Sequence, residues 1–276
     1  MTITTNRAQS SALSTAPTQP LARKHDFDAV FDSQGVFRSV LEAFSYPGRT
    51  INIKDYSDRL LGLCTNNTSK APNEQGGTQG EQSDESLNKV DSLCPACLAV
   101  AMTLLDNEVS FSVCNDRNVG SGASAGASVG ACEPRAFADT VTSLTLAEEV
   151  ATSKADFIFI GNEVALAAAI EQAKSGTLAD PHKSATLVIA NKGEFNQSLS
   201  LEGPGIRGQA SISATSTMLD ALRLRDEQSY EYPEGIDFLF VTADSNIIAL
   251  PRLVRKVGEN DANAPASAQH SDTEVK

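Results

Sequence analysis

The chain has 276 residues and carries 35 acidic against 22 basic side chains, a formal charge of −13. No run approaches the roughly 18 apolar residues of a transmembrane helix, and the polar first 24 residues lack the apolar stretch of a secretory signal. So acidic a balance also argues against nucleic acid, whose phosphates need a basic face; the expectation is a cytoplasmic protein with neither a membrane nor a nucleic-acid partner.

Four segments carry too little apolar area to offset the ordering entropy of about 1–2 kcal/mol per residue. They are the tail 1–24, the run 66–92, the Gly/Ser/Ala run 118–131 and the tail 259–276. The reading is two disordered tails flanking one domain, 25–258, that carries two low-complexity insertions. Most of the acidic excess stays with the remaining segments, 16 basic against 26 acidic side chains or −10 of the −13. A surface that acidic repels polyanions at long range, which suits a scaffold or partner subunit better than a self-sufficient nucleotide binder.

In chain order, Ser33 offers a cap, and Val36, Phe37, Val40, Leu41 and Phe44 follow at helical spacing. Pro47-Gly48 ends that helix, and Thr50 to Ile53 alternates as a short strand. Leu93 to Leu105 reads as a buried helix, and Val109 to Val113 alternates with period two. Asp156 to Ile160 is a compact apolar strand, followed by a helix over Glu163 to Lys174. Ala185 to Ala190 is almost wholly apolar, as a central strand buried on both faces would be. Leu199 and Leu201, then Ala210, Ile212 and Ala214, alternate on either side of a glycine turn. Met218 to Leu224 is helical, and Ile236 to Val241 and Ile247 to Leu250 are strands around the turn Asp244-Ser245-Asn246. The mixture predicts an α/β fold: a single domain with a mixed sheet flanked by helices.

Few motifs carry chemistry. Cys94-Pro95-Ala96-Cys97 has the spacing of a redox dithiol at a helix start, where the dipole favours a thiolate. It follows a low-complexity run rather than a strand, however, so two buried structural cysteines are the plainer reading. Five cysteines, an odd number, fit a reducing compartment. Gly203-Pro204-Gly205-Ile206-Arg207-Gly208 matches GxGxxG literally, but a strand pattern follows where a dinucleotide fingerprint needs a helix. A hairpin turn is favoured there, with its amides and Arg207 open to an anion. Arg49 and Arg252 sit at turn boundaries, where a guanidinium fork suits a phosphate or phosphonate. The candidate anion-binding set is therefore Gly203, Gly205, Arg207, Arg49 and Arg252; Arg252, Arg255 and Lys256 form the one tight basic cluster of the core. His25, His182 and His270 assemble neither a catalytic triad nor a metal set, so no metal and no catalytic residue are assigned. Asp237 lies within an apolar strand and must be paired or hydrogen-bonded.

Three of these segments together resemble one family. Phe37 to Gly48 is similar to the N-terminal helix and Pro-Gly stop of PhnH, the H subunit of the carbon–phosphorus lyase core complex. Leu199 to Ile206 resembles its strand and Gly-Pro-Gly-Ile turn; Tyr232 to Phe240 and Ala249 to Arg252 resemble its Pro-x-Gly-Ile-Asp strand and Leu-Pro-Arg hairpin, and Leu104-Leu105-Asp106 is a weaker landmark. The resemblance implies a subunit of phosphonate catabolism acting with the G, I and J subunits, and with the L protein for the ATP-dependent step. That step forms ribose 1-alkylphosphonate 5-triphosphate from ATP and an alkylphosphonate with release of adenine. It further implies a homodimer and a fold similar to the large domain of pyridoxal-phosphate transferases, without the cofactor. None of the core lysines 54, 154, 174, 183, 192 and 256 stands in a recognisable cofactor-binding context. The chain departs from the family where an aromatic-His-Thr segment is expected, having the run 118–131 and then Glu133 to Thr140 without a histidine. A self-sufficient nucleotide- or anion-binding enzyme built on Gly203–Gly208, and a thiol-redox protein, are the alternatives.

Overall fold

Apolar runs that alternate their side chains across two faces build the centre of the molecule. A computed structural model describes residues 26–64, 93, 95–114 and 134–257. The two tails and two insertions read from sequence lie outside the described residues. The elements, in order, are α1 (Phe31–Ser45), β1 (Ile51–Asn52), α2 (Lys54–Ser57), α3 (Leu61–Cys64), α4 (Pro95–Leu104), β2 (Ser110–Cys114), α5 (Pro134–Thr145), β3 (Glu148–Glu149), β4 (Phe157–Ile160) and α6 (Val164–Gln172). Then come β5 (Thr186–Asn191), β6 (Gln197–Glu202), β7 (Gln209–Ala214), α7 (Ser216–Glu227), β8 (Asp237–Thr242), β9 (Asn246–Leu250) and β10 (Arg255–Lys256).

Among the described residues, seven strands form one mixed sheet in the order β1-β9-β8-β5-β4-β2-β3. β8, β5, β4, β2 and β3 run parallel, while β9 is antiparallel to both its neighbours. Helices cover both faces. Val188 and Leu239 point to one side, with Phe111 and Phe159, into a core closed by residues of α1, α4 and α5. Leu187, Phe238 and Ile158 point to the other, against α6 and α7. A side chain such as Phe238, fully buried, contributes about 1.5–3 kcal/mol by leaving water. Every residue of β8 is buried. The fold is thus a single α/β unit whose sheet is buried on both sides, as the apolar run of β5 predicted. A second, antiparallel sheet of three strands, β10-β6-β7, packs Leu199, Leu201 and Ala214 into the second core.

Several local expectations are corrected. α1 begins at Phe31 rather than at a Ser33 cap: Asp28 Oδ1 accepts the N–H groups of Val30 and Phe31 at 2.8 Å. Of its apolar stripe, Val36 and Val40 are buried and Phe44 packs partly buried against the core, whereas Phe37 and Leu41 face solvent. The Thr50–Ile53 strand shrinks to Ile51–Asn52, because Ile53 caps the short helix α2. α4 covers Pro95–Leu104 of the expected Leu93–Leu105 and is buried all round from Ala96 to Ala101, which an apolar helix without a polar face permits. α5 and β3 occupy a stretch to which the sequence assigned no element.

Candidate functional site

The motifs scattered along the chain meet at one joint beside the second sheet. The Tyr46-Pro47-Gly48 stop of α1 is pinned by the Gly48 N–H, which donates to Ala249 O in β9 at 3.0 Å. The hairpin turn between β6 and β7 comes down on it: a Cβ placed on Gly205 would lie 2.9 Å from both Pro47 Cδ and Ser45 O. On its other flank, a Cβ on Gly203 would lie 2.8 Å from Leu253 O and 2.9 Å from Val254 Cα. Backbone approaches this close leave room for hydrogen alone. The turn closes on itself, Ile206 N–H donating to Gly203 O at 3.1 Å, and β7 follows it directly. GxGxxG is here a hairpin turn, as the alternation after it predicted; no helix N-terminus follows to meet a pyrophosphate.

The anticipated anion contacts are spread across this joint rather than converging on one point. Arg49 is exposed, paired with Glu42 at 2.9 Å and stacked 5.4 Å from the centre of the Tyr46 ring. Arg252 is committed to Asp237: its N–H, Nε and Nη2 donate to that carboxylate at 2.7, 3.3 and 2.8 Å, and Nη1 donates to Pro181 O. The buried aspartate is therefore satisfied by a bidentate fork and a turn amide, in a structural role. Arg207 is exposed at the hairpin tip and forms no ion pair among the described residues. His182 lies exposed in a 3-10 turn over Pro181–Lys183. Cys97 is wholly buried on α4, unlike the exposed site of a reactive thiolate; Cys94 lies outside the described residues.

Next to the joint, a cleft of about 310 Å³ opens between the end of α7, the Ser229–Glu234 turn and the segment Arg252–Lys256. Its cations are Arg225, Arg252, Arg255 and Lys256, its carboxylates Asp226 and Glu234, and two phenols, Tyr230 and Tyr232, complete it. Arg225 forms the floor at 3% exposure. Its guanidinium donates to Pro251 O at 3.2 Å and to Val254 O, and lies 5.1 Å from the centre of the Phe238 ring. Its one ion pair among the described residues, with Asp226, is loose at 4.0 Å. Burial pushes the guanidinium below its ordinary value, against the pull of Asp226 and Asp237. Burial likewise pushes the Tyr230 phenol up, Arg225 working against it, so the phenol keeps its proton at neutral pH. The sequence marks Arg252, Arg255 and Lys256 as a basic cluster but gives Arg225 and Tyr230 no such prominence. The signal for Arg225 lay in Leu222-Arg223-Leu224-Arg225, where helical rotation turns Arg223 outward and Arg225 inward.

The described residues form a mixed α/β protein organised around this joint, with no cluster of metal-binding side chains among them. Comparison with known families makes the class specific: the profile of PhnH, described as bacterial phosphonate metabolism protein, matches residues 75–256, and the chain belongs to that family. It is thereby a protein of phosphonate metabolism, with partners in that pathway. The match takes in the Gly203 turn, the Tyr232–Phe240 segment and the Pro251-Arg252 hairpin, and starts after α1. No curated protein matches the chain. No helix among the described residues is long and apolar enough to cross a membrane.

Proposed function

We propose that the chain works in the cytoplasm as a non-catalytic subunit of the carbon–phosphorus lyase system, built as one PhnH-like α/β domain over 25–258 that carries the low-complexity insertions 66–92 and 118–131. There it assists the G, I and J subunits, and the L protein, in forming ribose 1-alkylphosphonate 5-triphosphate from ATP and an alkylphosphonate. The observation that carries this reading is the family match over 75–256. The surface supports it: Val30, Phe37 and Leu41 share one exposed face at the start and middle of α1, and Phe31, 76% exposed, and Tyr46 add further apolar surface at its two ends. Such a surface, on a protein with a charge of −13, suits burial against another subunit, or against a second copy in a homodimer when the chain is alone. The seven-stranded sheet with one reversed strand and helices on both faces supports likeness to the large domain of pyridoxal-phosphate transferases. Of the anion-contact residues, Gly203, Gly205, Arg49 and Arg252 have structural duties at the joint, and Arg207 is the one whose charge is unengaged among the described residues.

The test is co-expression of the full chain with the G, I and J subunits, followed by size determination. A stable complex is expected, and Phe37→Asp/Leu41→Asp on the exposed face of α1 should release the chain from it while leaving its circular dichroism intact. The chain alone should liberate no adenine from ATP and methylphosphonate. Unaided turnover at enzyme-like rates would overturn the accessory role.

A further inference from the structure

We propose that the cleft beside α7 is a binding site for a small tetrahedral oxyanion of the phosphonate or phosphate-ester class, held by Arg255 and Lys256 with Tyr230 as a hydrogen-bond donor. The ligand class rests on the proposed place in phosphonate metabolism; the site itself rests on geometry. Four cations face two carboxylates in the lining, and Arg252 is neutralised by Asp237, so the cleft is net positive by one on a chain of −13. Positive charge concentrated in one concave place on an acidic molecule needs a reason, since scattered lysines and arginines would solubilise equally well.

The arrangement supplies donors and leaves them unused. Arg255 and Lys256 form no ion pair among the described residues, and both side chains are exposed. Their backbone is held all the same, because β10 pairs with β6, setting Arg255 opposite Glu202 and Lys256 opposite Leu201, and both side chains line the cleft. Lining the same cleft, Arg225 is a buried cation whose hydrogen bonds go to carbonyls, with its closest carboxylate among the described residues at 4.0 Å. The carbonyls and the Phe238 ring solvate this buried charge without a close carboxylate among the described residues, and an anion in the cleft would supply the missing counter-charge. Tyr230 and Tyr232 flank the opening, which at about 310 Å³ suits an anion bearing an organic group rather than a dinucleotide.

The overall negative charge does not forbid this. At physiological ionic strength the Debye length is about 8 Å, so carboxylates on the far side of the protein are screened while those cations that touch the ligand are not. Charge-assisted hydrogen bonds at contact distance therefore outweigh the distant repulsion.

Calorimetric titration of the full-length chain with inorganic phosphate and with methylphosphonate tests the site. Saturable binding is expected, weakened about tenfold or more in Arg255→Ala/Lys256→Ala and severalfold in Tyr230→Phe. Arg135→Ala, which removes an exposed cation outside the cleft, should leave affinity unchanged. Arg255 and Lys256 are exposed, so the double variant should keep the wild-type circular dichroism. Tighter binding of methylphosphonate assigns the cleft to the phosphonate, tighter binding of phosphate to a phosphate ester. Absence of saturable binding by both anions, or binding that the double variant leaves untouched, overturns the site. Complex formation with the G, I and J subunits, measured on the same variant, reads the proposed role separately: a lost anion site with retained assembly, or the reverse, shows which of the two has failed.

Discussion

Gly205 and Gly208 belong to one motif, have similar backbone conformations, and do different work. Gly205 has φ +86° and no space for a side chain; Gly208 has φ +70° and nothing within 4 Å of where a Cβ would stand. Alanine at Gly208 should cost only the left-handed penalty of about 1–2 kcal/mol. At Gly205 the same substitution must also push apart Pro47 and the Ser45 carbonyl, so its cost should reach about 2–4 kcal/mol. Urea denaturation midpoints of Gly205→Ala and Gly208→Ala compare them directly, and equal losses would show that the joint is not held by this contact. The turn itself was legible in the sequence, because glycine spacing and flanking alternation are local signals. What the turn packs against was not, because Pro47 and Val254 arrive from distant parts of the chain. Asp237 shows the same division: burial within an apolar strand announced a paired carboxylate, but only the fold selects Arg252 as its partner.

Elements with a strong period are legible in the sequence, and those whose face is set by neighbours are not. β5, β6, β7, β8 and β9 are where their apolar runs put them. α1 is recognisable, yet its sequence shows a wider apolar stripe than the core takes up, since apolar side chains left at the surface read the same in sequence as those turned inward. α5 escapes because Pro134–Thr145 is rich in Thr and Ser, which compete with helix for local hydrogen bonds; here Thr140 and Thr145 donate to carbonyls one turn back. The parallel strands also have a polar tie that periodicity does not reveal. Asp156, just before β4, accepts from the N–H and Oγ of Ser110 in β2 at 2.8 and 2.6 Å and from Lys174 just past α6. Burial pushes its carboxyl up, but the bonds from Lys174 and Ser110 together outweigh that and hold it below the ordinary aspartate range. A carboxyl whose folded value lies below its unfolded value stabilises the fold fully above the unfolded value of about 3.9, and loses that contribution as pH falls through the folded one. Wild type should therefore exceed Asp156→Asn in denaturation midpoint by a constant margin above about pH 5, and the margin should shrink as pH falls from about 4 toward 2. A margin independent of pH would mean that the carboxylate's charge has no part in the tie. The side chain is partly exposed, which keeps the effect modest.

At the scale of the whole molecule, the charge of −13 and the cationic cleft make opposite demands on salt, and that opposition can be measured. Raising NaCl from about 10 mM to about 150 mM shortens the Debye length from roughly 30 Å to roughly 8 Å. This screens repulsion among the many exposed carboxylates. The close pairs, such as Asp237 with Arg252 at 2.8 Å and Asp32 with Arg59 at 2.7 Å, lie at contact distance and are screened far less. Added NaCl should thus raise the thermal midpoint, whereas a molecule stabilised mainly by surface ion pairs would lose stability. Phosphate at matched ionic strength does the same screening, and as a ligand of the folded state alone it adds a term that grows with the ratio of its concentration to its dissociation constant. The excess of phosphate over NaCl is then the cleft's own contribution. It should disappear in Arg255→Ala/Lys256→Ala, while the common rise with ionic strength persists, because removing two cations makes the chain more acidic still. A thermal midpoint that falls with NaCl in the wild-type protein would show that close attraction, not distant repulsion, dominates the electrostatics of this fold.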